Sequence, residues 1–442
     1  MQTVASWPAP SLPTVPGGGG PISLFDSATG RVEPTSTPDG AATLYVCGIT
    51  PYDATHLGHA STYVAFDTLG RAWRDAGLRV RFAQNITDVD DPLLERAEKT
   101  GRDWREIALD QTDLFRGDMR ALRVIPPDAY VRVQDSIDET ASAVAAYLDA
   151  GFAYRVPIAA DADPAPVDPD ATDVYFDVAA AGERTPWTLG STTPLDAQAR
   201  AEAFVEFGGD PDRPGKRGPF DPLVWRAART GEPSWDTIVG PGRPGWHIEC
   251  AVIATGELGG TVSVQAGGRD LTFPHHDLSA GHASALTGEP FARHFAHAGL
   301  IAYDGTKMSK SLGNLVLVSK LTASGVDPAA IRLAIVRHHY RADWEWTDME
   351  LAEAQAQLAS WRAHADAVAK EAGPNDADAE PLAAPTPEDV AASAFARRMR
   401  EAIAADLDTP AVVQIVDEWA ATGSADPVVP ALVDALLGIR LV

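Results

Sequence analysis

Ala42-Thr43-Leu44-Tyr45-Val46-Cys47, followed by Gly48-Ile49-Thr50-Pro51, sets the architecture of this chain. Six uncharged residues with branched and aromatic side chains read as a buried strand, and the glycine-to-proline exit reads as a turn. Downstream, residues from about Leu57 to Asp75 carry Val64, Leu69 and Trp73 on one side, which predicts a helix. Gly77 ends it, and Arg79 to Gln84 reads as the next strand. Strand, helix and strand in about 40 residues form a right-handed crossover unit of a parallel sheet. Ligands of such sheets sit at the carboxyl ends of the strands. Cys47 and Asn85 both fall there.

The rest of the chain is arranged around that unit. Residues 1–40 predict a loose N-terminal leader with one apolar stretch, Ile22 to Phe25. Residues 135–150 predict a helix, and Pro157 to Pro169 an exposed loop. Many Pro and Gly residues break the sheet pattern over 151–240, which predicts an inserted subdomain. A strand is expected at Thr261 to Gln265, a helix from Pro274 to Leu286 and a strand at Phe295 to Leu300. The pattern is helical from Val326, with a Pro/Ala/acidic linker at 371–385. The expectation is an α/β fold: a Rossmann-like parallel-sheet domain from 41–150 and 241–325, the connective insertion 151–240 and a helical C-terminal domain, 326–442.

Lys plus Arg number 36 against 62 Asp plus Glu, a net charge of −26. Such a balance repels nucleic acid unless a local basic patch overrides it. No apolar run reaches the length of a membrane span, and the first 20 residues lack a basic-then-apolar signal pattern. A cytoplasmic location without a membrane partner is expected. The two cysteines are Cys47 and Cys250. A structural disulfide is disfavoured in a large cytoplasmic chain, which leaves two inert thiols or a shared metal site.

Three constellations carry chemistry. Thr55-His56-Leu57-Gly58-His59 puts two imidazoles at a strand-to-helix junction, where the helix N-terminus favours phosphate. Gly58 leaves room for a planar ring near the backbone. Lys307-Met308-Ser309-Lys310-Ser311 follows Asp304-Gly305 about 250 residues later. Its two lysines suit a mobile clamp on pyrophosphate, although a solvated basic loop has the same composition. Cys47, Cys250 after Trp246-His247-Ile248-Glu249, and His275 within Phe273-Pro274-His275-His276 offer two thiolates and an imidazole, good zinc ligands. Three protein ligands leave one position for a substrate thiol, which separates cysteine from serine by softness.

The two phosphate motifs, in this order, resemble the paired signatures of class I aminoacyl-tRNA synthetases. Tyr45-Val46-Cys47-Gly48, Asn85-Ile86-Thr87-Asp88-Val89-Asp90-Asp91, Gly242 to Cys250 and Phe273 to His276 closely resemble the cysteinyl-tRNA synthetase family, over residues 44 to about 347. Ser279 stands where that family has a fourth zinc ligand, glutamate, so a three-ligand site is expected. This departure, with Ile49-Thr50-Pro51, Glu206-Phe207-Gly208-Gly209-Asp210-Pro211, Trp225-Arg226-Ala227-Ala228-Arg229 and His339-Tyr340-Arg341-Ala342-Asp343, resembles the cysteine:glucosaminyl-inositol ligase family. Phe207 and Arg269 depart from that family, which usually has Arg and Ser there.

The resemblance implies a class I synthetase catalytic domain of Rossmann type and a C-terminal helical bundle. It implies a monomer that uses L-cysteine, ATP with Mg²⁺, and glucosaminyl-inositol, with one Zn²⁺ on Cys47, Cys250 and His275. By position, Cys47, Gly48, Ile49, Thr50, Thr62, Asn85, Ile86, Thr87, Trp246, Gly268, Arg269, Asp270 and Ile301 line the adenylate pocket, while His56, His59, Lys307 and Lys310 handle phosphates. A cysteinyl-tRNA synthetase and a non-catalytic zinc protein are the alternatives. Against RNA as partner, residues 371–442 hold four Arg, no Lys and 13 acidic residues, with Phe395 and Trp419 their aromatic content. A base-stacking platform needs basic and aromatic side chains.

Overall fold

The computed structural model describes residues 1–52, 55–159, 161–303, 305–308, 314–371 and 384–442. The leader is not loose. Ser23–Asp26 (β1) and Arg31–Pro34 (β2) pair antiparallel, and Trp7 is buried edge-on to Phe115 and Tyr130. Four-residue strands are too short to leave a periodic signal among so many Pro and Gly residues. Ala41–Val46 (β3), Leu57–Asp75 (α1) and Arg79–Ile86 (β4) then form the crossover expected from the sequence, with Leu44 opposite Phe82 in a parallel register. Asp91–Thr100 (α2) and Trp104–Ala121 (α3) lead to Ala129–Arg132 (β5) and Ile137–Ala150 (α4).

The next 90 or so residues, where an inserted subdomain is expected, form a separate four-stranded sheet. Ala153–Pro157 (β6), Thr172–Phe176 (β7), Leu223–Ala227 (β8) and Gly242–Pro244 (β9) pair antiparallel in sequence order. Val178–Arg184 (α5) and Ala197–Glu206 (α6) lie between β7 and β8. Trp246–Leu258 (α7) leaves β9 after one residue. Val264–Gly268 (β10), Asp277–Thr287 (α8) and Phe295–Ala298 (β11) complete the main sheet, of order β11-β10-β3-β4-β5 and parallel throughout. β10 starts three residues later than the strand expected at Thr261. α8 starts three residues later than the helix expected at Pro274. Phe273 is extended (φ −142°, ψ 137°), as the residue before a proline prefers, and a distorted turn over Thr272–His276 precedes the regular helix.

Ile301–Tyr303 (β12), Thr306–Lys307 (β13) and Trp344–Glu345 (β14) form a small third sheet. Val318–Ala323 (α9), Pro328–Val336 (α10), Asp348–Glu371 (α11), Pro387–Ala392 (α12), Ala394–Ala404 (α13), Thr409–Thr422 (α14) and Val428–Leu437 (α15) build the helical C-terminal part. Trp361 of α11 and Trp419 of α14 are fully buried in its core. Among the described residues, no helix is long and apolar enough to cross a membrane.

α1 is buried on almost every side, packed by the sheet on one face and by α10 and α15 on the other. A buried ion cluster fixes that second contact. Asp67 Oδ2 accepts from Arg71 Nε at 2.7 Å and from Arg332. Arg71 also donates to the carbonyls of Arg123 (2.7 Å) and Asp434 (2.9 Å), and Arg332 to those of Leu437 (2.5 Å) and Leu122 (2.6 Å). Burial alone would push the Asp67 carboxyl up, but Arg71 and Arg332 outweigh it and hold the group below the usual carboxylate range. Asp67→Ala leaves two buried guanidiniums without their anion and should lower stability by about 3–5 kcal/mol. Urea unfolding measures this, and a loss under about 1 kcal/mol would contradict it. Because the native pKa is depressed, the contribution is present above the unfolded value of about 3.9 and fades as pH falls through the native one.

Candidate active site

Three elements meet at the carboxyl edge of the main sheet. β3 delivers Cys47, the second turn of α7 delivers Cys250, and the Thr272–His276 turn delivers His275. The two Sγ atoms lie 3.8 Å apart, and His275 Nε2 is 3.2 Å from Cys250 Sγ. All three residues are buried, with their ligand atoms within 4.8 Å of one another, so they could hold a metal ion. A hydrogen bond from Cys47, aided by His275, holds the Cys250 thiol well below its ordinary pKa, whereas burial pushes that of Cys47 up. Two adjacent buried thiolates repel, so the pair retains a proton unless a cation displaces it. Ser279 donates to the His247 carbonyl at 3.0 Å and faces the backbone rather than the cluster.

The sequence reading passed over the groups behind these ligands. His276 Nε2 lies 3.2 Å from Cys47 Sγ, and its Nδ1 lies 2.8 Å from His297 Nε2. His297 Nδ1 in turn lies 2.7 Å from Ser27 Oγ, in the N-terminal segment. His247 Nδ1 is 3.1 Å from His275 Nδ1, and Trp246 stacks on the His275 ring at 4.3 Å. Burial, and then neighbouring histidines, hold His247 and His276 well below the ordinary imidazole pKa; His297 is pushed to about 3 by burial and Arg269. Neutral imidazoles can donate to a thiolate or orient a ligand without adding charge. His247 and His276 stood inside motifs already singled out; His297 and Ser27 had no local signal.

The cluster opens into a cavity of about 480 Å³. His56 caps α1: its Nδ1 accepts from Gly58 N at 3.1 Å, and its ring stacks on His59 at 3.8 Å. A Cβ on Gly58 would lie 2.9 Å from the His56 ring. The planar group for which that glycine leaves room is therefore His56 itself. Of the expected residues, Cys47, Gly48, Ile49, Thr50, His56, His59, Thr62, Thr87, Trp246, Cys250, Gly268, Asp270, His275 and Ile301 border this cavity.

Three do not. Asn85 is buried behind the wall, where its Oδ1 accepts from Gly48 N (2.7 Å) and Tyr45 Oη (3.0 Å) and its Nδ2 donates to Thr87 (2.9 Å). It shapes the lining, and a Cβ on Gly48 would collide with its carbonyl at 1.8 Å. Ile86 is in the core. Arg269 turns away to an ion pair with Asp343. Met308 lines the cavity and the backbone of Lys307 pairs with Ala302, while the Lys307 side chain and Lys310 lie outside the described residues.

A family model described as the class I (C) tRNA synthetase catalytic domain matches residues 34–356. The L-cysteine:1D-myo-inositol 2-amino-2-deoxy-alpha-D-glucopyranoside ligase of Clavibacter michiganensis subsp. michiganensis is 56% identical over 99% of this chain and 98% of its own length. The protein of that name from Nakamurella multipartita is 52% identical over 99% of this chain and 100% of its own length. Among solved structures, Mycobacterium tuberculosis methionyl-tRNA synthetase with methionyl-adenylate superposes with a TM-score of 0.59. It covers 90% of this chain and 89% of that one at 16% identity, a likeness of fold alone. The chain belongs to the L-cysteine:1D-myo-inositol 2-amino-2-deoxy-alpha-D-glucopyranoside ligase family, built on the class I tRNA synthetase catalytic domain.

Proposed function

We propose that this chain is an ATP-dependent ligase that joins L-cysteine to the amine of glucosaminyl-inositol, releasing AMP and diphosphate. The observation that carries this reading is the Cys47, Cys250 and His275 cluster opening into the same cavity as the stacked His56 and His59. In the first step a cysteine carboxylate oxygen bonds to the α-phosphorus of Mg²⁺-bound ATP and the bond to diphosphate breaks. In the second, the amine nitrogen bonds to the acyl carbon, the acyl–oxygen bond breaks, AMP leaves with the electron pair, and the proton shed by the nitrogen passes to solvent.

The residues present fit one zinc ion, because the donors are two sulfurs and one imidazole and one of the thiols is already held acidic. When bound there, zinc supplies a soft Lewis acid that favours a substrate thiolate over a serine hydroxyl. Trp246 fixes the plane of His275 by stacking, and His276 lies against Cys47 so that the sulfur keeps its orientation. His56 and His59, at the positive end of α1, face the phosphates as charge moves onto them. Lys307 and Lys310 are assigned the departing diphosphate from their motif.

The test is cysteine-dependent pyrophosphate exchange, followed by product analysis with the amino sugar and with tRNA. Amide on glucosaminyl-inositol supports the proposal; cysteine transferred to tRNA alone overturns it. The salt response gives an independent check. An acceptor bearing one ammonium should show less than about a threefold change in KM between 50 and 200 mM salt, whereas a surface reading 6–10 phosphates loses about 10³–10⁵ in affinity. A steep salt dependence would point to RNA.

A further inference from the structure

Beside the nucleotide cleft lies a second, larger cavity of about 670 Å³. Thr50, Tyr52, Trp246, Asp270 and Leu271 border both, so a molecule in one can reach a molecule in the other past Trp246. One wall comes from the end of α6, with Glu206 and Phe207. Further lining comes from the start of α2, with Asp90 and Asp91, and from Glu249 on α7.

Charge and an unpartnered oxygen restrict what this cavity can take. Among the described residues, six carboxylates besides Glu249 line it against three arginines, and two of the six, Asp210 and Asp91, are paired with Lys216 and Arg243. Each of those arginines is already ion-paired: Arg226 to Glu232 at 2.8 Å, Arg213 to Asp173 at 2.7 Å, and Arg243 to Asp91 and Glu232. The guanidiniums are matched by their own carboxylate partners, so the lining keeps an acidic excess, which concentrates ligands of the opposite sign. Glu249 is 1% exposed, and its Oε2 has no hydrogen-bond partner. A buried oxygen left without a donor is costly, and this one can accept from a ligand hydroxyl or N–H whether or not the carboxyl is ionised. The rings of Phe207 and Trp246, 6.4 Å apart and inclined by 34°, offer apolar plates for the C–H face of a saturated ring.

We infer that this cavity is the acceptor subsite, built for a cationic polyhydroxylated amine that carries no phosphate. The ring face lies against Phe207 and Trp246, and the hydroxyl and N–H groups meet the carboxylate wall beside the adenylate. This inference rests on the ligase reading above and adds the location and the electrostatic selection of the acceptor.

Calorimetric titration tests it on the full chain holding a non-hydrolysable cysteinyl-adenylate analogue. The probes are glucosaminyl-inositol and the same amine carrying a phosphate monoester on its inositol. The parent amine should bind at least about tenfold more tightly than the ester, and Glu206→Lys should narrow that gap. Phe207→Ala should weaken the parent amine about tenfold, with pyrophosphate exchange on the same preparation reporting whether the nucleotide cleft is intact. The ligand comparison on the unaltered protein needs no variant, so a misfolded variant does not remove the test. Equal binding of amine and ester, or binding of the amine unchanged in both variants, overturns the inference while amide formation upholds the ligase reading. If the unaltered protein makes no amide at all, the ligase reading itself fails.

Discussion

Cys250→Ala is expected to remove the bound metal and to lower cysteine-dependent pyrophosphate exchange by at least about 10³-fold, roughly 4 kcal/mol of transition-state stabilisation. Cys250 is fully buried on α7, between Cys47 Sγ at 3.8 Å and His275 Nε2 at 3.2 Å. Its loss leaves one sulfur and one imidazole, fewer than the three protein donors of an open zinc site. Removing groups that merely orient metal ligands costs about 10–100-fold, so loss of a ligand itself should exceed that range. The alanine is small and α7 tolerates it, so the fold should persist. Metal analysis and exchange assays are made on the same sample. A variant with full zinc content would show that the ligand set is wrong.

His59→Ala should slow adenylate formation in a single turnover by about 10²–10³-fold, the usual effect of losing one preorganised donor from a charge-developing site. His59 lies in the first turn of α1 with its ring stacked on His56 at 3.8 Å, bordering the cavity that Cys47, Cys250 and His275 also line. His56 is the helix cap as well, accepting from Gly58 N, so replacing it would mix capping with chemistry. His59 separates the two. Cysteine affinity should change little, because the thiol side of the cavity is untouched. An unchanged single-turnover rate would take the histidine pair out of the phosphate-handling role.

The order of legibility along the chain follows from the range of the interactions involved. β3, α1 and β4 could be read because an unbroken uncharged strand and a five-turn helix each carry a local signal; Leu57–Asp75 begins and ends where the sequence reading placed it. The antiparallel insertion sheet could not, because β9 has three residues and its partners are supplied by pairing across long loops. The grouping of Cys47, Cys250 and His275 was legible from motif chemistry. The line from Cys47 through His276 and His297 to Ser27 was not, since it joins residues up to 270 positions apart. Asn85 shows the limit of positional transfer: it was expected in the pocket lining, but its hydrogen bonds run to Gly48 and Thr87 behind that lining.

The decisive measurement is the metal content of protein purified without chelators, combined with pyrophosphate exchange supported by cysteine and by serine on that same material. One zinc per chain and a cysteine preference of at least about 10⁴-fold are expected, the discrimination available when a site's own groups are left unpaired by the wrong substrate. Protein free of transition metal, or serine adenylated as readily as cysteine, would contradict the reading of Cys47, Cys250 and His275 as the selecting site.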